Sequence, residues 1–144
     1  MNKALFPGSF RPFTRGHADI VERALALFDE VVIAVGVNAA KPLHDIEKDL
    51  SPIKKLYAGE PRVRVEAFTG LTAHYARTVG AACIVRGVRS TKDYEYERDM
   101  ADINRQLSGI ETVILFSRPE LGAISSSVVR ELESYGVDTT QYLP

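Results

Sequence analysis

The chain has 144 residues, 45% of them hydrophobic and 26% charged, with a formal net charge of −1. That is the make-up of a globular domain able to bury about two thirds of its unfolded surface, and it excludes disordered and fibrous classes. A pI near 6.3 excludes the global basic field that holds nucleic acid non-specifically, so any phosphate must be met by a local cluster of Lys and Arg. The single cysteine, Cys83, allows neither an intramolecular disulfide nor a multi-cysteine metal site. No apolar stretch approaches the ~18 residues of a membrane span, and the expectation is a soluble, cytoplasmic protein with no nucleic-acid or membrane partner.

The first apolar run, Ala4 to Phe6, reads as a strand, and P-G-S-F-R-P-F follows it. Thr14-Arg15-Gly16-His17 then opens a helix whose apolar positions, Ile20, Val21, Ala24, Leu25 and Phe28, recur at spacings of three and four. Gly8 and Gly16 are expected to let backbone approach a ligand, Ser9 offers a hydroxyl, and the helix N-terminus presents unpaired N–H groups to an anion. Thr14 as a plain N-cap, with His17 an ordinary first-turn residue, accounts for the same letters. The second strand, Val31 to Val37, is continuously apolar and suits burial on both faces. The loop after it carries Lys41 and His44, each of which also fits the role of a solvated loop residue.

Val63 to Phe68 alternates, as a less enclosed strand does, and Ala73, Ala76 and Val79 mark the next helix. The fourth strand, Ala82 to Val85, is expected to end in Arg86-Gly87-Val88-Arg89. Two guanidinium groups at a strand end require anions: ligand phosphates, for which Arg is suited, or the acidic stretch from Asp93 to Glu97. Met100, Ile103 and Leu107 mark a further helix, and Thr112 to Phe116 the fifth strand. Ser125-Ser126-Ser127 stands before Val128-Val129-Arg130, an N-cap first and also a second source of amide and hydroxyl donors.

Alternating strands and helices without a long linker predict an α/β fold: one domain over residues 1–144, doubly wound, with a five-stranded parallel sheet and helices on both faces. Ligands of such sheets lie beyond the carboxyl ends of the strands. Neither G-x-x-x-x-G-K-[ST], nor G-x-G-x-x-G, nor a serine nucleophile elbow occurs, which removes support for P-loop hydrolases, dinucleotide dehydrogenases and serine hydrolases.

Taken together and in order, P-G-S-F with T-R-G-H, R-G-V-R with D-Y-E-Y-E, A-D-I-N-R-Q-L and I-S-S-S-V-V-R-E-L make the chain resemble the bacterial phosphopantetheine adenylyltransferases over essentially its whole length. The resemblance implies a Rossmann-like nucleotidyltransferase fold and transfer of the adenylyl group of ATP to 4′-phosphopantetheine, giving dephospho-coenzyme A and pyrophosphate. It implies Mg²⁺ held mainly by phosphates, with no metal ligand from the protein, and a homohexamer built as a dimer of trimers. ATP contacts would fall on Ser9, Phe10, His17, Gly87, Val88, Arg89, Glu97, Leu121, Gly122, Ala123, Ile124, Ser125, Ser126 and Ser127. Those to 4′-phosphopantetheine would fall on Ser9, Lys41, Thr72, Arg86, Met100 and Asn104.

His17, Lys41, Arg89 and Ser127 are the implied catalytic residues. Lys41 and Arg86 would hold the attacking phosphate, His17 would meet the α-phosphate, and Arg89 and Ser127 would hold the departing pyrophosphate. No general base is required, because a phosphate monoester has a second pKa of about 6.

The chain also departs from the family pattern. Arg11 replaces the acid of P-G-[ST]-F-D-P, where its charge would either repel Lys41 or help an anion. The loop after Lys41 is a residue shorter. Asp49 stands where the family carries arginine, Gly70 replaces an acidic residue, and the chain stops at Y-L-P where many relatives continue. Two rival readings remain: a sister nucleotidyltransferase with another phosphorylated acceptor, and a nucleotide-binding homologue impaired in catalysis.

Overall fold

The structure is a computed structural model, and it describes residues 2–37 and 46–144, so Lys41 and His44 lie outside the described residues. Five parallel strands, β1 (Lys3–Gly8), β2 (Glu30–Gly36), β3 (Val63–Phe68), β4 (Cys83–Val88) and β5 (Glu111–Phe116), form one sheet in the order β3-β2-β1-β4-β5. Between and after them run α1 (Arg15–Leu25), α2 (Ile46–Leu56), α3 (Thr72–Val79), α4 (Thr91–Ser108) and α5 (Ser126–Ser134). Strands β1 and β2 are enclosed because both of their faces are covered. Phe6, Ile33 and Val35 pack with Ile20, Val21 and Ala24 of α1 and Leu50 and Ile53 of α2, whereas Leu5, Val32 and Ala34 pack with Ala76 of α3. The alternating strand, β3, is the sheet edge, as its sequence predicts.

Strand order reverses at the junction of β1 and β4. These two strands pair only through Ala4 with Cys83 and Leu5 with Ile84, whereas β1 stays paired with β2 as far as Gly8 and β4 with β5 as far as Val88. The sheet therefore splits toward its carboxyl edge, which is where a doubly wound fold holds its ligand. Two boundaries differ from the sequence reading for this reason. Pairing with β5 carries β4 through Arg86, Gly87 and Val88, so Arg86 projects from the strand itself and not from a loop after it. Pairing with β2 likewise carries β1 through Pro7 and Gly8.

Helix α4 forms where the spacing of Met100, Ile103 and Leu107 predicts it. Its apolar positions Met100, Ile103 and Leu107 are 38%, 47% and 46% exposed, and Glu97 is its one buried residue. The periodicity locates the helix but not its buried side.

Candidate active site

The split in the sheet is bridged by Arg86. Its Nε and Nη2 donate to Glu97 Oε2 and Oε1 at 2.9 and 2.7 Å, a two-point contact with the buried acid of α4. Its Nη1 donates to the carbonyl of Pro7 on β1, so one guanidinium ties together the two strands that have parted. The acidic stretch thus supplies the counter-ion of Arg86, and the paired guanidinium lines a cavity on either side.

Two cavities meet at this bridge. The first, of about 270 Å³, is lined among others by Ser9, Phe10, His17, Gly87, Arg89, Ile124, Ser125 and Ser126. The second, of about 240 Å³, is lined by Gly36, Phe68, Thr72, Tyr96, Met100 and Asn104 together with Thr112. Pro7, Gly8, Arg86 and Glu97 line both. Of the residues assigned by resemblance, Ser9, Phe10, His17, Gly87, Arg89, Ile124, Ser125 and Ser126 line the first cavity, Thr72, Met100 and Asn104 the second, and Arg86 and Glu97 both. Sequence reading gives Thr112 and Ser117 no place in the site, and the Thr112 hydroxyl, buried on β5, has no hydrogen-bond partner among the described residues.

Two helix N-termini open onto the first cavity. On α1, Thr14 is the N-cap: its Oγ1 accepts from His17 N–H at 3.4 Å, and its own N–H donates to His17 Nδ1 at 2.9 Å. The plain capping reading is correct, and it does not compete with a role for His17. Because Nδ1 accepts, the neutral ring carries its proton on Nε2, leaving a donor on the opposite edge of the ring. The pKa of His17 is pushed down from 6.5 to about 4, first by burial and then by the positive charges of Arg86 and Arg89. At neutral pH the imidazole is uncharged.

On α5, Ser125 is the N-cap, its Oγ accepting from Val128 N–H at 3.1 Å. Ser126 Oγ donates to the Pro12 carbonyl at 2.8 Å, and Ser127 Oγ accepts from Arg130 at 3.3 Å. All three hydroxyls are thus used within the protein, and Ser127 is not part of the cavity wall. What this run presents to the cavity is the first-turn amides, which have no intrahelical acceptor.

Arg89 lies in the first cavity, held by Asp93 at 3.5 Å and by the Gly122 carbonyl at 3.3 Å. Leu121, Gly122, Ala123 and Val88 do not line it. Val88 is a buried core residue, and Leu121 closes a short 3₁₀ turn, Pro119–Leu121, that sequence reading did not anticipate.

The glycines also answer to packing. A Cβ on Gly8, which lines both cavities, would stand 2.8 Å from the ring of Phe10, so the aromatic side chain needs that room. At Gly87 a Cβ would come within 3.1 Å of Ile20, which explains the glycine between the arginines by strand–helix packing.

Two of the departures from the family pattern meet each other. Arg11 Nε lies 3.2 Å from Asp49 Oδ2, so the two departures form one ion pair. Arg11 points away from the first cavity, into a groove on the far side of Phe10. Gly70 has φ +85°, a left-handed conformation that itself favours glycine.

The chain is similar to known proteins in sequence and in fold. The model of the cytidylyltransferase-like family matches residues 5–132. Curated relatives named phosphopantetheine adenylyltransferase include one from Porphyromonas gingivalis, 54% identical over 99% of this chain and 94% of the relative. Another, from Phocaeicola vulgatus, is 52% identical over 100% and 96%. Among solved structures, a bifunctional NMN adenylyltransferase/ADP ribose pyrophosphatase from Francisella tularensis, complexed with AMP and a manganese ion, superimposes with a TM-score of 0.71 at 16% identity. That match covers 99% of this chain but 44% of the other, so the chain spans under half the bifunctional protein's length and the likeness speaks for the fold. A nicotinate-nucleotide adenylyltransferase from Vibrio parahaemolyticus gives 0.62 at 19% identity. With half its residues or more shared over its full length, the chain belongs to the phosphopantetheine adenylyltransferase family of cytidylyltransferase-like nucleotidyltransferases.

Proposed function

We propose that the chain transfers the adenylyl group of ATP to 4′-phosphopantetheine in coenzyme A biosynthesis. The observation that carries this reading is the pair of adjoining cavities joined at Arg86. ATP occupies the space between the α1 and α5 N-termini, and the acceptor's arm lies against Thr72, Met100 and Asn104. Its phosphate reaches Arg86 and Lys41 at the junction. A phosphate oxygen of the acceptor attacks the α-phosphorus, forming the new P–O bond as the bond to the β-phosphate oxygen breaks and pyrophosphate leaves. The attacking group is already largely ionised near neutral pH, so the protein's task is to align two anions and to stabilise the charge that develops between them.

His17 Nε2–H and the α1 amides meet the α-phosphate oxygens. Arg89 and the α5 amides, more than the Ser127 hydroxyl, hold the leaving pyrophosphate. Mg²⁺, where bound, would supply neutralisation of phosphate charge. On this reading the ion is held mainly by the nucleotide's phosphates, and Asp93 and Glu97 serve as partners of Arg89 and Arg86.

The same reading includes a cytoplasmic location and a homohexamer, a dimer of trimers. The exposed stripe of Tyr96, Met100, Ile103 and Leu107 along α4 supports association. Ile103→Glu should lower the mass measured by light scattering, and an unchanged mass would remove the stripe from any interface. The reaction itself is tested by pyrophosphate release from ATP with 4′-phosphopantetheine, with nicotinamide mononucleotide, or with no acceptor. Release with the first alone is expected. Release with nicotinamide mononucleotide alone, or with neither, would overturn the reading.

A further inference from the structure

Phe10 has φ 49°, the one left-handed residue other than glycine among those described. An aromatic residue holds that conformation at a cost and keeps it only where its surroundings over-determine it. Its ring is buried and meets His17 edge to face, with centroids 4.9 Å apart and planes at 88°, while Phe13 packs on the imidazole at 5.3 Å. The imidazole plane therefore depends on where Phe10 and Phe13 stand. The short segment between them, Arg11 and Pro12, is gripped from two other elements. The Arg11 side chain is paired with Asp49 of α2, its carbonyl accepts from Arg130 Nη1 of α5 at 2.6 Å, and the Pro12 carbonyl accepts from Ser126.

We propose that Arg11, Asp49 and Arg130 form a brace that holds Phe10 in its left-handed conformation and so sets the His17 ring for reaction. They are positioning residues: they face the groove behind Phe10, not the cavity that holds His17. The polarity of the ion pair is immaterial to such a brace, which needs only that α2 and the turn be tied. That requirement accounts for an arginine at position 11 beside a catalytic histidine.

The kinetic part of the test rests on the adenylyl-transfer reading and the spectroscopic part does not. Arg11→Asp and Asp49→Arg each place like charges face to face, and the double variant Arg11→Asp/Asp49→Arg restores the pair with its polarity reversed. Displacement of a reacting group by a fraction of an ångström to an ångström costs up to about a hundredfold in rate, so each single variant should lose about tenfold in kcat with the KM for ATP nearly unchanged. The double variant should regain most of that loss. In ligand-free protein, the ¹⁵N shifts of the His17 ring should move in both single variants and return in the double. Unmoved His17 signals in the single variants would overturn the brace whether or not the wild-type protein turns over 4′-phosphopantetheine. So would a double variant as slow as the singles, or single variants that melt earlier while keeping full kcat.

Discussion

Two cavities share Phe10 as a wall, and they could hardly differ more. The groove on the outer side, between α2, α5 and the last residues, is the larger at about 640 Å³. The inner cavity is less than half that size, yet it gathers two helix N-termini, two arginines and an uncharged histidine around one point. Volume alone would select the wrong one. Convergence of donors marks a candidate site for anions, because a phosphate needs several directional partners at short range.

The strongest test of that contrast is His17→Ala. Loss of one preorganised donor costs about 3 to 4 kcal/mol of transition-state stabilisation, or a few hundredfold in kcat. ATP binding, followed by calorimetry, should change far less, and an equal loss in both would place His17 in ground-state binding. Next in size is Glu97→Ala, which strips the buried counter-ion from Arg86. Breaking a buried pair costs about 3 to 5 kcal/mol, and with the Arg86 side chain 31% exposed about 2 kcal/mol is expected in denaturant unfolding. A loss below about 0.5 kcal/mol would mean that the bridge across the split sheet is ornamental.

A subtler effect follows from the depressed pKa of His17. The folded value, about 4, lies below the unfolded 6.5, so the unfolded chain takes up the proton first as pH falls. Stability contributed by the neutral ring is complete above pH 6.5 and is lost as pH falls toward 4. His17→Asn should flatten that part of the melting-temperature profile, and a profile identical to wild type would assign the acid sensitivity elsewhere. Smallest of all, Lys55→Ala on the outer groove should leave kcat/KM within about twofold and stability within about 0.5 kcal/mol. A larger fall in rate would give that groove a part in the reaction.

Much of the architecture is legible in the sequence because strands covered on both faces must be apolar without interruption, as V-V-I-A-V-G-V is. The end of β4 was not legible, since an arginine and a glycine look like a loop. Only the pairing of Arg86 with Ile114 and of Gly87 with Leu115 keeps them in the sheet. The apolar stripe of α4 has the spacing of a core face, and nothing in a spacing tells whether the neighbour it awaits belongs to the same chain.

The start of α1 was legible residue by residue because its capping motif is local, at Thr14 to His17. The serine run shows the limit of that approach: a letter names a hydroxyl, but Ser126 has spent its own on a carbonyl 114 positions away in the chain. Arg11 and Asp49, 38 positions apart, look like separate oddities until the turn and α2 are brought together.

The Thr14 amide bonded to His17 Nδ1 has a consequence for the direction of the reaction. An acid–base residue must be reset after each turnover, and the forward and reverse reactions start from its opposite charge states. On the proposed reading, a histidine whose proton is fixed on Nε2 and whose pKa is pushed down to about 4 would give the same hydrogen bond to the same oxygen whichever way the adenylyl group travels. Synthesis and pyrophosphorolysis then run through one protonation state of the protein. Their balance is left to the concentrations of the four reactants.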